Sequence, residues 1–267
     1  MLRFLVVMVV SVMVKGDIMS ENEYTIESVR ASLVRQEDTI VFGLIERARF
    51  PINSPTYNQL NVSIPNFNGS LFDFILNQTE AIQAKTGRYI NPEENPYTEN
   101  LPPSVVPHYN FSKFLHPTTA VININERIKK AYLNEMLPLF VASGDDGNYA
   151  QTAASDLSLL QAISRRIHYG KLAAETKFRA SPREYEPLIH AQDREGLMKL
   201  FTVKSVEEII QKRVRKKAMV FGQEVSHDSE VSRKYKVDPT IVSRLYQNWI
   251  IPLTKVVEVE YLLRRLD

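Results

Sequence analysis

The stretch from Ser164 to Phe178 constrains the fold most strongly, because it has the pattern of the second half of a long helix with an unusual face. Arg166 and Lys177 are eleven residues apart, and eleven steps of about 100° return to within roughly 20° of the starting direction. The two cations therefore share one face, about three turns apart. Between them this face carries Gly170, Ala173 and Ala174. The pattern predicts either a site for a compact dianion or two snorkelling side chains at the edge of a core.

The rest of the chain favours an all-α fold. Its 267 residues can bury a sizeable core, glycine is scarce, and the alternation of β-branched residues that is typical of strands is rare. We predict a single-domain, multi-helix bundle of about ten to twelve helices with long central helices, spanning residues 25–267. Six prolines between Asn91 and Pro117 predict an irregular surface excursion within it.

Composition excludes several kinds of site. The chain has no cysteine, so it has no disulfide, no thiolate metal ligand and no cysteine nucleophile. Its five histidines show no metal-ligand spacing, and we predict no metal site. Glycine-rich phosphate-binding loops and the G-x-S-x-G motif are also absent from the sequence. The net charge of +2 indicates no particular partner.

The segment from Met1 to Gly16 stands apart from the rest. A basic residue, an apolar run and a small residue give it the three-part form of a signal peptide. The alternative is an unused N-terminal extension, with translation starting at Met19. The run is too short to form a stable membrane span. Four N-x-S/T sequons would matter only in a secreted chain; they lie at Asn61, Asn68, Asn77 and Asn110.

The hydrophobic periodicity, together with prolines and capping residues, predicts the helix boundaries. Helices are expected at Thr25–Arg49, Ser70–Tyr89, Ile122–Val141, Tyr149–Arg179, Asp238–Ile250 and Leu253–Leu266. We expect Pro252 to break or kink the chain between the last two. Capping boxes are predicted to open two further helices at Ser181 and Ser205.

Basic residues cluster between Lys212 and Lys217, towards the end of the helix that the second capping box opens. Acidic residues near its start and basic residues near its end suit the helix dipole. Aromatic residues do not interleave with the basic run, so we predict no nucleic-acid partner.

Several helices carry polar groups on otherwise apolar faces. We expect Arg30 to lie inside the apolar face of its helix. Glu207, and Thr254 with Glu258, stand in comparable positions on later helices. Burying any of these groups alone is costly, and together they can compensate one another. They form either a buried salt-bridge network or an anion site in the core of the bundle.

Long collinear segments carry a resemblance to a known family. They are Ser28–Phe42, Leu44–Ala48, Gly144–Tyr149, Ser164–Lys171, Phe221–Val225 and Ile251–Leu266. In these segments the chain resembles the eukaryotic chorismate mutases, and among them the plant enzymes, from about residue 25 to its end. The resemblance implies an all-helical homodimer that needs no cofactor and converts chorismate to prephenate by a Claisen rearrangement. The alternative is a helical interaction protein that keeps the scaffold without catalysis.

The resemblance also implies roles for single residues. Arg30 and Arg166 would clamp the two substrate carboxylates, with Thr254 assisting. Lys177 and a protonated Glu258 would donate to the ether oxygen, and Glu207 would accept from the ring hydroxyl. Val203, one turn before Glu207, replaces a polar residue of the fungal enzymes.

Some family members bind aromatic amino acids in an effector pocket at the subunit interface. The corresponding residues here are Arg88, Asn148, Ala150 and Gln151. Regulated members have Gly-Ser where this chain has Ala150 and Gln151, and a basic pair where it has Gly87 and Arg88. We therefore expect this effector pocket not to function. We expect the chain in the cytosol, with secretion through residues 1–16 as the alternative.

Overall fold

The protein is helical throughout the part of the chain that the computed structural model describes, which comprises residues 24–107, 111, 113–224 and 234–267. Within these residues the only β pairing is an isolated bridge between Gln223 and Tyr235. The prediction of an all-α fold is confirmed. The segment from Met1 to Gly16, Asn110 and most of the 222–237 loop lie outside the described residues.

In chain order the α-helices are α1 (Ile26–Arg47), α2 (Leu71–Lys85), α3 (Asn125–Ala131), α4 (Leu137–Phe140), α5 (Tyr149–His168), α6 (Gly170–Ala180), α7 (Pro182–His190), α8 (Arg194–Phe201), α9 (Lys204–Phe221), α10 (Pro239–Leu245) and α11 (Ile251–Leu263). Short 3-10 turns lie at Ser54–Thr56, Arg88–Ile90 and Pro117–Val121. No helix among the residues described is long and apolar enough to cross a membrane.

Two π turns join pairs of α-helices into continuous runs. Tyr132–Met136 joins α3 to α4, and Tyr246–Ile250 joins α10 to α11. Each turn is followed at its second residue by a proline, Pro138 or Pro252, which lacks an N–H and clashes with the carbonyl four residues earlier in an α-helix. The wider i→i+5 turn accommodates the proline ring without ending the helix. Of the two outcomes predicted for Pro252, a break or a kink, the break is therefore wrong.

The number of helices is lower than predicted when helices that continue into one another are counted as one. When α3–α4, α5–α6 and α10–α11 are each counted as one, the described chain has eight helices rather than the ten to twelve expected. The central helix is nearly continuous from Tyr149 to Ala180, as predicted, with a single break at Tyr169.

The starts of the helices agree with the sequence analysis only in part. Thr25 and Asp238 accept from backbone N–H groups and open α1 and α10. Ser181 makes no side-chain capping bond, because its φ of −146° and ψ of 58° depart from the usual extended geometry of a capping residue. The second box is wrong as well, since α9 begins at Lys204 after Val203 and Ser205 lies inside it.

The central helix organises the core. In the interior α1 packs along α5, and α11 packs along α6. The Arg47 guanidinium pairs with Asp156 at 2.7 Å, and both side chains are fully buried. Tyr57 and Tyr132 also donate to the Asp156 carboxylate, so this buried charge is fully hydrogen-bonded. The arrangement fixes α1 against α5 and so sets the position of Arg166 further along α5.

Candidate active site

Two polar contacts join the central helix to α11. Arg166 Nη1 donates to Thr254 Oγ1 at 3.3 Å, and Lys177 Nζ donates to Glu258 Oε1 at 3.0 Å. Thr254 and Glu258 are four residues apart and therefore share one face of α11. The structure brings together these four residues, as the spacing along each helix predicted.

Gly170 lies where the two helices approach most closely around these contacts. A Cβ added to Gly170 would lie 2.9 Å from the carbonyl oxygen of Thr254 and 3.3 Å from Cγ of Glu258. Real Cβ atoms essentially never approach another atom as closely as the 2.9 Å to this backbone oxygen. Glycine is therefore required for α6 and α11 to keep this separation, which the sequence alone could not reveal because the partner is 84 residues away.

Arg166 is a buried cation without a carboxylate partner. Its side chain is almost fully buried, Nε has no hydrogen-bond partner, and no carboxylate of the described chain lies within ion-pair distance. Burial lowers the pKa of Arg166, while Tyr246, Glu37 and Glu258 act in the opposite direction. Glu37 is already held by Arg213 and Lys217. The guanidinium therefore keeps donors free for an anion that comes from outside the protein.

Glu258 is buried beside three cations. Burial raises its pKa, and the charges of Lys177, Arg166 and Lys255 oppose that shift. Burial is the larger influence, so the protonated carboxyl persists to higher pH than in an exposed glutamate. Lys177 is only half-buried and also lies over the ring of Phe201, with Nζ 4.5 Å from the ring centroid.

Glu207 connects to the same region through a residue that the sequence analysis did not single out. Lys255 follows Thr254 directly and pairs with Glu207 at 2.7 Å. It also donates to Thr202 Oγ1 at 3.1 Å. Val203 is exposed and precedes α9.

Arg30 departs from the expectation. It is exposed rather than inside the apolar face of α1, and the structure does not bring it into contact with the other predicted site residues. Its neighbour Val29 is buried against Tyr169, Leu172 and Ala173 near the start of α6. Arg30 therefore lies at the end of α1 that borders the Gly170 region, with a solvent-exposed side chain.

Asn148, Ala150 and Gln151, three of the predicted effector residues, lie at the other end of α5, whereas Arg88 contacts this helix further along, at Gln161. Arg88 is engaged within the chain, because Nη2 pairs with Glu94 at 3.0 Å and Nη1 donates to Gln161 at 2.6 Å. Ala150 and Gln151 are exposed in the first turn of α5, directly after Asn148. Across the described ranges, no group of three or more metal-ligating side chains could hold a metal ion.

Comparison with known proteins identifies relatives over most of the chain. The family described as chorismate mutase type II matches residues 148–259. Chorismate mutase 2 of Arabidopsis thaliana is 57% identical over 251 residues, which cover 92% of this chain and 95% of that protein. Cytosolic chorismate mutase 2 of Zea mays is 47% identical over 250 residues, covering 92% of this chain and 98% of that one.

A solved structure is similar as well. The chorismate mutase of Candida albicans in complex with L-Trp superposes with a TM-score of 0.84 at 39% identity, covering 90% of this chain and 91% of that chain. The similarity therefore extends to the arrangement of the helices as well as the sequence.

Proposed function

Because the chain belongs to the chorismate mutase family, we propose that the cleft between the central helix and α11 is the site where chorismate binds as a dianion. The enzyme is an isomerase that converts chorismate to prephenate, a step of aromatic amino acid biosynthesis. A non-catalytic interaction protein has no reason to retain a buried cation such as Arg166 beside a protonatable Glu258.

One observation carries the site assignment, and it is the buried Arg166 without a counter-ion. A buried guanidinium with free donors is costly until an anion pairs with it. A carboxylate suits it, because the planar fork of arginine can make two parallel hydrogen bonds to the two oxygens. Arg30 is the proposed partner for the second carboxylate, and its exposed side chain is free to turn towards a ligand at the mouth of the cleft.

The reaction needs no nucleophile and no base. In the rearrangement the ether C–O bond breaks while a C–C bond forms, and negative charge grows on the ether oxygen. The enzyme holds the substrate in its compact conformation and places donors at that oxygen. Lys177 donates from one side, and the carboxyl O–H of Glu258 donates from the other.

Glu207 is the proposed acceptor for the ring hydroxyl of the substrate. The ion pair with Lys255 holds its carboxylate in place for that role. Val203 has no polar atom in its side chain, so recognition of the hydroxyl rests on Glu207 and backbone groups.

Competition tests the two-cation site directly. Purified protein should convert chorismate to prephenate, and an unreactive dicarboxylate with the shape of chorismate should compete with it. The matching monocarboxylate should compete at least about tenfold more weakly, since it leaves one arginine unpaired. Equal inhibition by both compounds would contradict the clamp without questioning the activity.

Gly170→Ala tests the close approach of α6 and α11. We expect kcat/KM to fall by about tenfold to a hundredfold, because the new Cβ pushes α11 away and separates both polar contacts. Gly43→Ala is the matched control, since the tightest contact of a Cβ there is the terminal Cδ1 of Leu159 at 3.0 Å, and the other contacts, at 3.5 Å and 3.6 Å, are ordinary van der Waals distances. The Gly170→Ala and Gly43→Ala proteins should differ from each other in kcat and in the dependence of the rate on pH. An equal loss in both would mean that Gly170 matters only for folding.

Regulation by aromatic amino acids is expected to be weak. Phenylalanine, tyrosine or tryptophan should change the rate by less than about twofold at sub-saturating chorismate. Ala150 and Gln151 add side-chain volume where regulated relatives have glycine and serine, and Arg88 is already engaged. The double variant Ala150→Gly, Gln151→Ser should become more responsive. A several-fold effect of tryptophan on the unmodified protein would contradict this account.

The proposed assembly is a homodimer. The family resemblance supports it, and light scattering on the purified protein tests it. A mass near 30.7 kDa would exclude it.

The proposed location is the cytosol, as the name of the Zea mays relative suggests. A fluorescent fusion of the full chain and one starting at Met19 should then distribute identically. Glycan addition to the full-length fusion alone would instead identify residues 1–16 as a signal peptide.

A further inference from the structure

A second polar cavity lies between α1 and α5, outside the cleft described above. It has a volume of about 120 Å3 and is lined by Arg35, Gln36, Thr39, Ala162 and Arg165. The space is well above the ~10–15 Å3 that admits one water. Its lining combines two guanidinium groups with a side-chain amide and a hydroxyl group.

Gln36 provides the main evidence that this cavity takes a ligand. The residue is only 8% exposed, and neither the amide nitrogen nor the amide oxygen has a hydrogen-bond partner. Nε of Arg165 is also buried without a partner. Leaving buried donors and acceptors unpaired is costly, so a bound group that satisfies them stabilises this part of the fold.

The charges around the cavity favour an anion. Arg165 pairs with Glu93 and Glu94, and Arg88 also pairs with Glu94, so these two arginines and two carboxylates balance one another. Arg35 is exposed and makes no ion pair within the described chain. One positive charge at the rim of the cavity is therefore left uncompensated.

The hydrogen-bonding groups narrow the chemistry of the ligand. Arg35, Arg165 and the Gln36 amide nitrogen can only donate, so they need an oxyanion. The Gln36 amide oxygen can only accept and has no partner among the lining groups, so a ligand that also carries an O–H satisfies both ends of the amide. We propose that this cavity is a binding site for hydrogen phosphate, whose P–OH donates to Gln36 while its anionic oxygens accept from the arginines.

Three ligands of similar size test the donor requirement. Inorganic phosphate, sulfate and methyl phosphate can be titrated at pH 8 and constant ionic strength by calorimetry. Sulfate carries no proton at this pH, and a phosphate monoester with its second pKa near 6 has almost none. We expect phosphate to bind at least about tenfold more tightly than either, because a site built around an O–H rejects analogues without one.

Two variants and a control test the residues. Arg35→Ala and Gln36→Leu should each weaken phosphate binding by at least about tenfold. Arg49→Ala removes another exposed cation just beyond α1 and should leave binding unchanged. Because Gln36→Leu removes unpaired polar atoms, its melting temperature without phosphate should equal or exceed that of the original protein.

Other outcomes would overturn the proposal. Equal binding of phosphate and sulfate would indicate only a general ionic effect. Binding that survives in both variants would place the anion elsewhere. No heat of binding with phosphate would mean that the cavity holds water alone.

Discussion

Arg166→Ala should lower kcat/KM for chorismate more than a hundredfold, which corresponds to a loss of roughly 3 kcal/mol or more in transition-state stabilisation. The substitution removes the buried cation of the cleft and leaves a substrate carboxylate unpaired in a desolvated site. Arg166→Lys should also lose most activity, because an ammonium cannot reproduce the two parallel bonds of the guanidinium. Steady-state kinetics on both variants measure the effect. Near-normal turnover of the Lys variant would exclude a bidentate contact.

The free energy of unfolding distinguishes the proposed substrate-binding role of Arg166 from the role of a cation that stabilises the fold. Arg166 has no carboxylate partner, so its removal should not reduce the free energy of unfolding. Arg47→Ala should instead cost about 3–5 kcal/mol, since it leaves the buried Asp156 carboxylate without its partner. Urea titrations of the two variants make the comparison. Arg179→Ala, which removes an arginine paired with Glu175 on the same central helix, should keep its activity.

Glu258→Gln should retain substantial activity and lose the fall in rate at alkaline pH. Burial raises the pKa of Glu258 despite the adjacent cations, and a bound dianion raises it further. The protonated form is the donor, so the rate of the original enzyme should fall as pH rises through this pKa. Glutamine keeps the shape and supplies an N–H donor at every pH. Glu258→Ala should lose about a hundredfold at pH values below this pKa, the usual scale for removing one such donor, and the difference from the original enzyme should shrink above it.

Glu260→Gln is the matched control for that profile. It lies two residues further along α11 and pairs with Arg194 and Arg264 away from the cleft. Its pH–rate profile should match that of the original enzyme. If the Glu258→Gln enzyme keeps the alkaline fall, another group is titrating and the assigned role of Glu258 is wrong.

Helical spacing was enough to predict which of the candidate site residues share a helix face. Arg166 and Lys177 face α11, and Thr254 and Glu258 face them, because each pair lies within one helical run whose periodicity is visible in the sequence. Local rules were less reliable at helix ends. Ser181 does precede the first residue of α7 but makes no side-chain capping bond, and α9 begins before Ser205.

Long-range features could not be predicted. The approach of Gly170 to Thr254 depends on a helix far away in the chain, and a glycine in the middle of a helix carries no signal of what it meets. Arg30 was expected to be buried because its neighbours are apolar, but it lies on the exposed side of α1. Both π turns do have a local signal, a Tyr-x-Asn-x-x-x-Pro segment that occurs at Tyr132 and again at Tyr246.

The π turn at Tyr246–Ile250 also determines the direction in which the side chains of α11 face. A π turn contains one residue more than an α-turn, so every side chain after it is rotated by about 100° relative to an uninterrupted helix. In α11 this rotation turns Thr254 and Glu258 towards the central helix while α10 keeps its own apolar face inward. The orientation of Thr254 and Glu258 therefore depends on the number of residues in the π turn as much as on which residues these are. A one-residue deletion in this turn would leave every proposed site residue in the sequence but would turn Thr254 and Glu258 away from the central helix.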